Sequence, residues 1–403
     1  MHGQAPCAER QRATISSPRF EIAELFRTHG DAYRRAHRLS HEQWSAMRAI
    51  ESCRTAILGG HVDVCDACGY QRPAYNSCRN RHCPKCQSLA QARWITQRMQ
   101  RILPTRYFHV VFTLPAALRP LALSNRRLVF TLLFQAAAQT LLALGDDPKR
   151  LGGRLGMTAV LHTWTRALPF HPHLHCVVTG GALSADGQRW IATKTPDYLF
   201  PVRVLSALFR AKFLRALRRA FRWGKLRFSP GLAALAAPQA FGRFIDALSR
   251  QDWVVYAKQP FGGSEHVFRY LGRYTHRVAI ANQRLEAVDE NAVRFRTRHG
   301  KTATVHPSEF IRRFLLHVLP TGFVKIRHYG LFAPAHAGSA LERARALLDD
   351  QPGAPAAARK TDTDWRKQLA ELTGVDLWRC PRCDGGTMVR GALPALGLPL
   401  PDG

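Results

Sequence analysis

The sequence has 403 residues and a mass of 45.3 kDa, and its 46% hydrophobic and 22% charged residues exclude a wholly disordered chain and predict two or three domains. Lysine and arginine number 59 against 28 acidic residues, so the net charge is +31 and the pI is near 10.9. This surplus predicts a polyanionic partner, most commonly nucleic acid. The first residues lack the apolar core of a signal peptide, and the uncharged stretch 128–144 is too short and too polar for a membrane span. We therefore expect a buried helix there, a cytoplasmic location and no membrane contact.

The predicted elements begin with helices and continue with a mixture of strands and helices. Helices are expected at 20–52 and 88–101, and Pro104 ends the second one. The periodicity then predicts strand, helix, strand, strand, helix, strand and helix at 107–114, 118–144, 157–164, 173–180, 204–223, 253–258 and 264–276. This order predicts an α+β fold in which helices cover one face of a small antiparallel sheet.

The composition also divides the chain into three parts. Residues 1–104 are expected to form an N-terminal helical and cysteine-rich domain, and residues 105–335 the mixed domain. Within the latter, short alternating segments at 278–305 predict a hairpin-rich appendage, followed by a helix at 308–318. Residues 336–403, rich in Ala, Pro and Gly, are expected to be a flexible tail with a linker at 350–364.

Eight of the ten cysteines fall in two clusters, one between residues 53 and 86 and the other near the C-terminal end. In a reducing compartment this pattern favours metal binding or buried thiols over disulfides. Two CxxC knuckles separated by 14 residues can present four sulfurs to one zinc ion. The four predicted ligands are Cys65, Cys68, Cys83 and Cys86.

Other cysteines and histidines could hold a second zinc ion. Four of them lie in the same segment as the two knuckles: Cys53, His61, Cys78 and His82. The alternative is that the two cysteines are small buried apolar side chains and that His82 lies on the surface. The C-terminal pair Cys380 and Cys383 is only half a site and would need partners from elsewhere or from another subunit, so a vestigial or unmetallated loop is the favoured interpretation.

Two histidines are predicted to share one face of a strand. In the strand at 173–180, His173 and His175 are two residues apart and therefore project to the same side, while Leu174 and Cys176 project to the core. Such a pair is a two-point anchor for a divalent ion. The alternative is that both are ordinary histidines on a polar face.

Two tyrosines are predicted to share one face of the helix at 264–276. Tyr270 and Tyr274 are four residues apart, which brings their hydroxyl groups close together. The alternative is that they belong to an amphipathic stripe that packs on a core. An adjacent face of this helix carries three arginines suited to a phosphate backbone: Arg269, Arg273 and Arg277.

The helix expected at 204–223 is basic and amphipathic. Its cationic residues predict contact with single-stranded DNA, and the alternative is a solvated surface. They are Arg210, Lys212, Arg215, Arg218, Arg219 and Arg222.

The histidine pair and the tyrosine pair together predict a phosphoryl-transfer chemistry. A phenol has a pKa of about 10 and is a weak nucleophile at neutral pH. A metal held by histidines could polarise a phosphate and stabilise the leaving oxygen. Attack by a tyrosine would then give a phosphotyrosine link and a free 3′-hydroxyl, and a second tyrosine would permit a second transfer.

These residues resemble those of the HUH single-strand endonucleases, in which a His-hydrophobic-His strand binds the metal and a helix carries the nucleophilic tyrosine. Over residues 26–332 the chain is similar to two-tyrosine rolling-circle insertion-sequence transposases that carry an N-terminal zinc-binding domain. The motifs that carry the resemblance are FRTHGDAYRRAH, CRTAILGGHV, YNSCRNRHCPKCQ, YFHVVFTLP, HPHLHCVV, YLGRYTHRVAIAN and FIRRFLLHVLPTGFVKIRHYG.

The resemblance implies a ferredoxin-like antiparallel sheet and a nuclease that nicks and rejoins single-stranded DNA at the ends and target of its element. It implies that His173 and His175 bind a catalytic Mg²⁺ or Mn²⁺ and that Tyr270 and Tyr274 are the nucleophiles. It also implies structural zinc at Cys65, Cys68, Cys83 and Cys86, with Cys53, Cys78 and His82 as further candidates. The third ligand of the catalytic metal stays open among His109, His171 and His266.

The resemblance also implies action at the nucleoid and leaves a homo-oligomer open. Two alternatives remain. One is a plasmid or phage replication initiator with the same chemistry, and the other is a non-catalytic, zinc-dependent DNA-binding protein.

Overall fold

The computed structural model describes residues 19–86, 91, 94–95, 101–258, 279–336, 338–349, 376, 378–383 and 385–393. Helices in these ranges are, in chain order, α1 (Ile22–Ala36), α2 (His41–Ser52), α3 (Arg119–Ser124), α4 (Arg126–Asp146), α5 (Val202–Arg222), α6 (Pro238–Arg250), α7 (Pro307–Leu315) and α8 (Ala340–Asp349). Strands are β1 (Gly60–Cys65), β2 (Gln71–Tyr75), β3 (Tyr107–Thr113), β4 (Gly153–Trp164), β5 (Phe170–Ser184), β6 (Trp190–Ala192), β7 (Val255–Lys258), β8 (Leu285–Val288), β9 (Val293–Arg296), β10 (Thr302–Val305), β11 (Ile326–Gly330) and β12 (Met388–Leu393). The helix expected at 264–276 and the linker expected at 350–364 lie outside the described residues. Of the helix expected at 88–101, only residues 91, 94, 95 and 101 are described.

The central sheet has six strands. Its order is β11–β4–β5–β3–β7, with β6 beside the far end of β5, and every neighbouring pair is antiparallel. Strands β3, β4, β5 and β7 with the helices between them form a βαββαβ unit in the spatial order β7–β3–β5–β4. The predicted α+β fold with an antiparallel sheet is therefore confirmed.

Helices α4, α5 and α6 cover one face of this sheet. Alternation along β5 turns Leu174 and Cys176 toward the helices, where they join the largest apolar core together with Phe209 of α5. Phe112 of β3 packs on Phe209 with ring centroids 4.9 Å apart. The opposite face of the sheet carries a smaller apolar core that includes Val160 and Val177, and polar side chains beside it.

Helix α4 has the length and hydropathy of a membrane span, but 67% of its apolar window is buried inside the protein. It packs against β4, β5 and α5, which is the expected place for an apolar core helix. The single helix expected at 118–144 is two helices, because the Asn125 side chain donates to the Leu121 and Arg227 carbonyl oxygens at distances of 3.0 and 2.7 Å. These bonds hold Asn125 out of helical geometry.

The N-terminal region is also two helices in place of the one expected at 20–52. Ser40 and Gln43 form a capping box, in which each side chain accepts from the other's backbone N–H, and this box starts α2. Phe26 of α1 packs edge-on against Phe314 of α7 with centroids 5.2 Å apart. A second apolar core thus joins the N-terminal helices to α7 and the β8–β10 appendage.

The region expected to be a flexible tail contains two regular elements. Helix α8 packs through Leu341 and Leu348 against Tyr107 of the central sheet. Strand β12 pairs with β1, so that the C-terminal strand lies in one three-stranded sheet with β1 and β2. The remaining small sheet, β8–β9–β10, is the hairpin-rich appendage that the sequence predicts.

Candidate functional site

The β4–β5 hairpin brings three histidines together on the face of the sheet opposite α4, α5 and α6. His162 of β4 lies directly opposite His173 of β5, and Val160 lies opposite His175. Because facing residues of antiparallel strands point the same way, all three imidazoles project to one side. One nitrogen of each ring lies within 4.8 Å of the others, and this geometry can hold a metal ion.

Hydrogen bonds fix the orientation of two of these rings. His173 Nδ1 donates to the carbonyl oxygen of His171 at 2.7 Å, which leaves the lone pair of Nε2 free for a ligand. His175 Nδ1 shares a hydrogen bond of 2.8 Å with Nε2 of His109, and their rings are stacked with centroids 5.0 Å apart. The rings of His173 and His175 are thus held before any metal binds.

Burial keeps these imidazoles neutral. It lowers the pKa of His173 to about 4 and that of His175 well below its usual range, with smaller contributions from neighbouring histidines. It also lowers the pKa of His109 to about 4. Neutral imidazole is the form that binds metals, so the cluster is ready for a cation near pH 7.

His162 is not among the third-ligand candidates that the sequence predicts. Of those candidates, His109 hydrogen-bonds to His175, and His171 Nδ1 accepts from Arg119 Nη2 at 2.8 Å. His266 lies outside the described residues. A hairpin turn at 165–169 would by itself place His162 opposite Pro172, and the irregularity in the β4–β5 register moves it opposite His173, so no local signal in the sequence identifies it.

Both predicted nucleophiles, Tyr270 and Tyr274, lie outside the described residues. The same holds for the three arginines expected beside them, Arg269, Arg273 and Arg277. The structure therefore leaves these five assignments as predictions.

Positive charge surrounds the histidine face. Arg298, in the turn between β9 and β10, is close enough that its charge adds to the burial that lowers the pKa of His173. Lys258 lies opposite His109 across the β3–β7 pair, and Tyr256 lies opposite Val111, so both point to the same face as the histidines. Tyr256 is 51% exposed. These groups suit a phosphate backbone and an unpaired base.

The basic helix lies on the other side of the sheet from the histidines. Arg215, Arg219 and Arg222 of α5 are exposed, whereas Arg218 pairs with Asp246 of α6 at 2.9 Å. Arg210 and Lys212 are half-buried. The adjacent Trp223 is 61% exposed, and Arg219 stacks over its ring. A strand of DNA that touched both α5 and the histidines would have to pass around an edge of the sheet.

One thiol cluster lies beside the N-terminal helices. Its members are Cys53, Cys78, Cys83 and Cys86. Cys86 Sγ lies 3.3 Å from Cys53 Sγ and 3.6 Å from Cys78 Sγ, too far for a disulfide and suited to a tetrahedral metal site. Cys53 and Cys83 are buried in the second apolar core.

The predicted pairing of the two CxxC knuckles is wrong. Cys65 and Cys68 do not join Cys83 and Cys86 but lie against the C-terminal pair, and all four thiols of this second cluster are mutually within 4.8 Å. The C-terminal pair, Cys380 and Cys383, is not a vestigial half-site, because β12 carries it to the end of β1 and the partner thiols come from elsewhere in the chain.

Neither nearby histidine joins a thiol cluster in the described part of the chain. His82 Nε2 accepts from the backbone N–H of Leu319 at 3.1 Å, and Nδ1 faces Asn80 Oδ1 at 3.1 Å. His82 is thereby buried between the cysteine-rich loop and the mixed domain, so the alternative of a surface position is also wrong. His61 lies 3.8 Å from Asp63.

Comparison with known proteins gives consistent matches along the chain. Residues 25–114 match the family described as “Transposase zinc-binding domain”, and residues 156–340 match the family described as “Putative transposase”. Among solved structures, the metal-free conjugative relaxase TrwC in complex with oriT DNA aligns at a TM-score of 0.23 and 16% identity, over 42% of this chain and 71% of that chain.

Two relatives match most of the chain. The putative transposase y4qJ of Sinorhizobium fredii is 52% identical over 376 residues, which cover 92% of this chain and 94% of that protein. The transposase for insertion sequence element IS801 of Pseudomonas savastanoi pv. phaseolicola is 29% identical over 366 residues, covering 86% of this chain and 82% of that protein. Both family descriptions and both relatives' names contain the word transposase.

Proposed function

Because the chain belongs to the insertion-sequence transposases that carry a zinc-binding domain, we propose that it nicks and rejoins single-stranded DNA at element ends through 5′-phosphotyrosine intermediates. The observation that carries this proposal is the cluster of His162, His173 and His175 on one face of a rigid sheet. Rolling-circle transposition in the cytoplasm, at the nucleoid, is the process that this chemistry would serve.

The three imidazoles are proposed to hold the catalytic divalent cation. Burial keeps His173 and His175 neutral, and hydrogen bonds already hold their rings, so these two residues need little reorganisation on binding. When bound, a divalent cation supplies positive charge that polarises the scissile phosphate and stabilises the leaving oxygen. Because imidazole nitrogen suits Mn²⁺ better than Mg²⁺, Mn²⁺ is expected to bind more tightly.

Tyr270 or Tyr274 is proposed to perform the covalent step. Its phenol oxygen attacks phosphorus and loses its proton to solvent, and the new O–P bond forms as the P–O3′ bond breaks. The electron pair goes to O3′, which takes up a proton and becomes the free 3′-hydroxyl. Attack by a 3′-hydroxyl reverses these steps and releases the tyrosine, so the bond energy is conserved for rejoining.

Cationic groups around the histidine face are proposed to hold the DNA. Arg298 and Lys258 would bind phosphates on either side of the reacting one, and Tyr256 would stack on an unpaired base. The thiol cluster at Cys53 and Cys86 is proposed to hold a structural zinc ion that fixes the N-terminal domain against α7.

A covalent trapping assay tests the proposal. End-labelled single strands from the flanks of the gene are incubated with protein and Mn²⁺, and an adduct that survives boiling in detergent is expected. The adduct should be lost in the Tyr270→Phe/Tyr274→Phe double variant and in His175→Ala. Tyr198→Phe is the matched control, because Tyr198 is an exposed tyrosine outside the candidate site.

Two results would contradict the proposal. One is an adduct that persists in the double tyrosine variant. The other is tight DNA binding without any adduct, even with a randomised pool of single strands, which would favour a non-catalytic DNA-binding protein.

A further inference from the structure

Four thiols from the two ends of the chain meet beside β1. Cys65 Sγ lies 3.6 Å from Cys383 Sγ, and Cys68 Sγ lies 3.7 Å from Cys380 Sγ, although more than 300 residues separate the partners in each pair. A tetrahedral zinc–thiolate site with Zn–S bonds of about 2.3 Å has sulfur–sulfur separations of about 3.8 Å. A disulfide would require about 2.05 Å. The observed spacing therefore fits four ligands of one ion.

The backbone around these sulfurs is arranged for thiolates. In each knuckle the N–H of the second cysteine points to the sulfur of the first, with Cys68 N to Cys65 Sγ at 3.4 Å and Cys383 N to Cys380 Sγ at 3.5 Å. Arg382 N also points to Cys380 Sγ, at 3.4 Å. Hydrogen bonds from N–H groups stabilise the negatively charged form of the sulfur, which is the metal-binding form.

The chain on the C-terminal side passes directly over the cluster at a glycine. A Cβ atom added at Gly386 would approach Cys65 Sγ to under 3.0 Å, closer than real side chains come. At the neighbouring Gly385, an added Cβ would have nothing within 4 Å. The close approach of the backbone to sulfur is therefore specific to Gly386.

Pairing of β12 with β1 brings the two knuckles together. The register runs from Gly60 opposite Leu393 to Cys65 opposite Met388. The buried Asp63 of β1 pairs with Arg390 of β12 at 3.1 Å. These contacts place the C-terminal segment in the same small sheet as the zinc-binding domain.

We infer that these four cysteines form a second zinc site, built from both ends of the chain, which fastens the C-terminal segment to the zinc-binding domain. The match to the zinc-binding family ends at residue 114, so half of the ligands lie outside it. An all-thiolate set selects zinc over Mg²⁺ or Mn²⁺, and four protein ligands leave no open position, so the site is structural. The inference is independent of the phosphotyrosine chemistry.

Counting zinc ions tests this inference directly. Native mass spectrometry of the full chain should find two zinc ions in the wild type and one in the Cys380→Ser/Cys383→Ser variant. The zinc ion retained at the other thiol cluster shows that the variant still folds. The inference is overturned if the wild type holds a single zinc ion, or if this variant still holds two.

A pair of glycine variants provides a test that leaves every ligand in place. Gly386→Ala is expected to release one equivalent of zinc to a chromogenic chelator at least ~10-fold faster than the wild type, since perturbing the surroundings of a metal site typically costs 10- to 100-fold in affinity. Gly385→Ala, the matched control, should release zinc at the wild-type rate. Equal release rates for the two variants would contradict the inferred site.

Discussion

Acid should destabilise the packing of β4 against the segment after α7, because a neutral histidine is buried between them. His317, just after α7, is 1% exposed. Its Nε2 donates to the Leu168 carbonyl oxygen at 3.0 Å, and its Nδ1 accepts from the Thr163 hydroxyl at 3.2 Å. Thr163 follows His162 directly, at an irregularity in the β4–β5 register. A neutral His317 therefore secures the strand that carries the third candidate ligand.

The size of the effect follows from proton linkage. Burial lowers the pKa of His317 from 6.5 to about 3, so at pH 5 the unfolded chain takes up a proton that the folded chain does not. The stability that His317 contributes is therefore fully present well above pH 6.5 and is lost as the pH falls below that value. Between pH 7.5 and pH 5.0 this one residue should lower the free energy of unfolding by about 2 kcal/mol.

His317→Gln separates this contribution from every other acid-sensitive group. Glutamine keeps a donor for the Leu168 carbonyl oxygen but does not titrate, and the lost bond to Thr163 costs about 1 kcal/mol at pH 7.5. Urea unfolding followed by tryptophan fluorescence should show the wild type about 1 kcal/mol more stable than the variant at pH 7.5 and about 1 kcal/mol less stable at pH 5.0, because the difference between them shifts by about 2 kcal/mol. His41→Gln, at an exposed position of α2, is the control. A gap that stays constant with pH would refute the reasoning.

Two further predictions concern the metal and the DNA. His162→Ala should lower Mn²⁺ affinity, measured by isothermal titration calorimetry, by at least ~100-fold, because it removes one of three ligands. His171→Ala should change it much less, and equal losses would mean that His162 is not a ligand. Tyr256→Ala should weaken single-stranded DNA binding about tenfold or more, since a stacked base is worth ~1–3 kcal/mol. Fluorescence anisotropy would measure this, and a larger loss in Trp223→Ala would instead assign the DNA to the α5 side of the sheet.

Local periodicity was enough to predict which β5 side chains share a face. A strand repeats every two residues, so His173 and His175 must lie on one side whatever the rest of the chain does. His162 could not be assigned in the same way, because its place opposite His173 depends on the cross-strand register. The turn at 165–169 and the irregularity between His162 and Trp164 together set that register, and nothing within β4 itself indicates it.

The thiol pairing shows a different limit. The two CxxC knuckles that are closest along the chain have a spacing compatible with one zinc ion, and this spacing predicts that they share it. In the structure, Cys83 and Cys86 instead join Cys53 and Cys78, while Cys65 and Cys68 join the C-terminal pair. The cost of closing a loop rises slowly with its length, so sequence distance is a weak guide to which knuckles meet. The pairing of β12 with β1 determines the outcome.

The helical elements show how side-chain hydrogen bonds end a helix within an apolar pattern. The hydrophobic pattern predicted the α4 core helix correctly but not the break at Asn125. That break depends on Arg227, which is 102 residues away, since the Asn125 side chain bonds to both the N–H and the carbonyl of Arg227. Apolar patterning alone cannot show such a partner.

Identification of the residue that carries DNA tests the central claim most directly. The covalent adduct formed with Mn²⁺ is trimmed with nuclease, digested with trypsin and analysed by mass spectrometry. Arginines at 269, 273 and 277 place Tyr270 and Tyr274 in separate peptides, residues 270–273 and 274–277, so the digest distinguishes them. The proposed chemistry predicts a nucleotide linked through phosphate to one of these two peptides. A nucleotide on any other residue would contradict it.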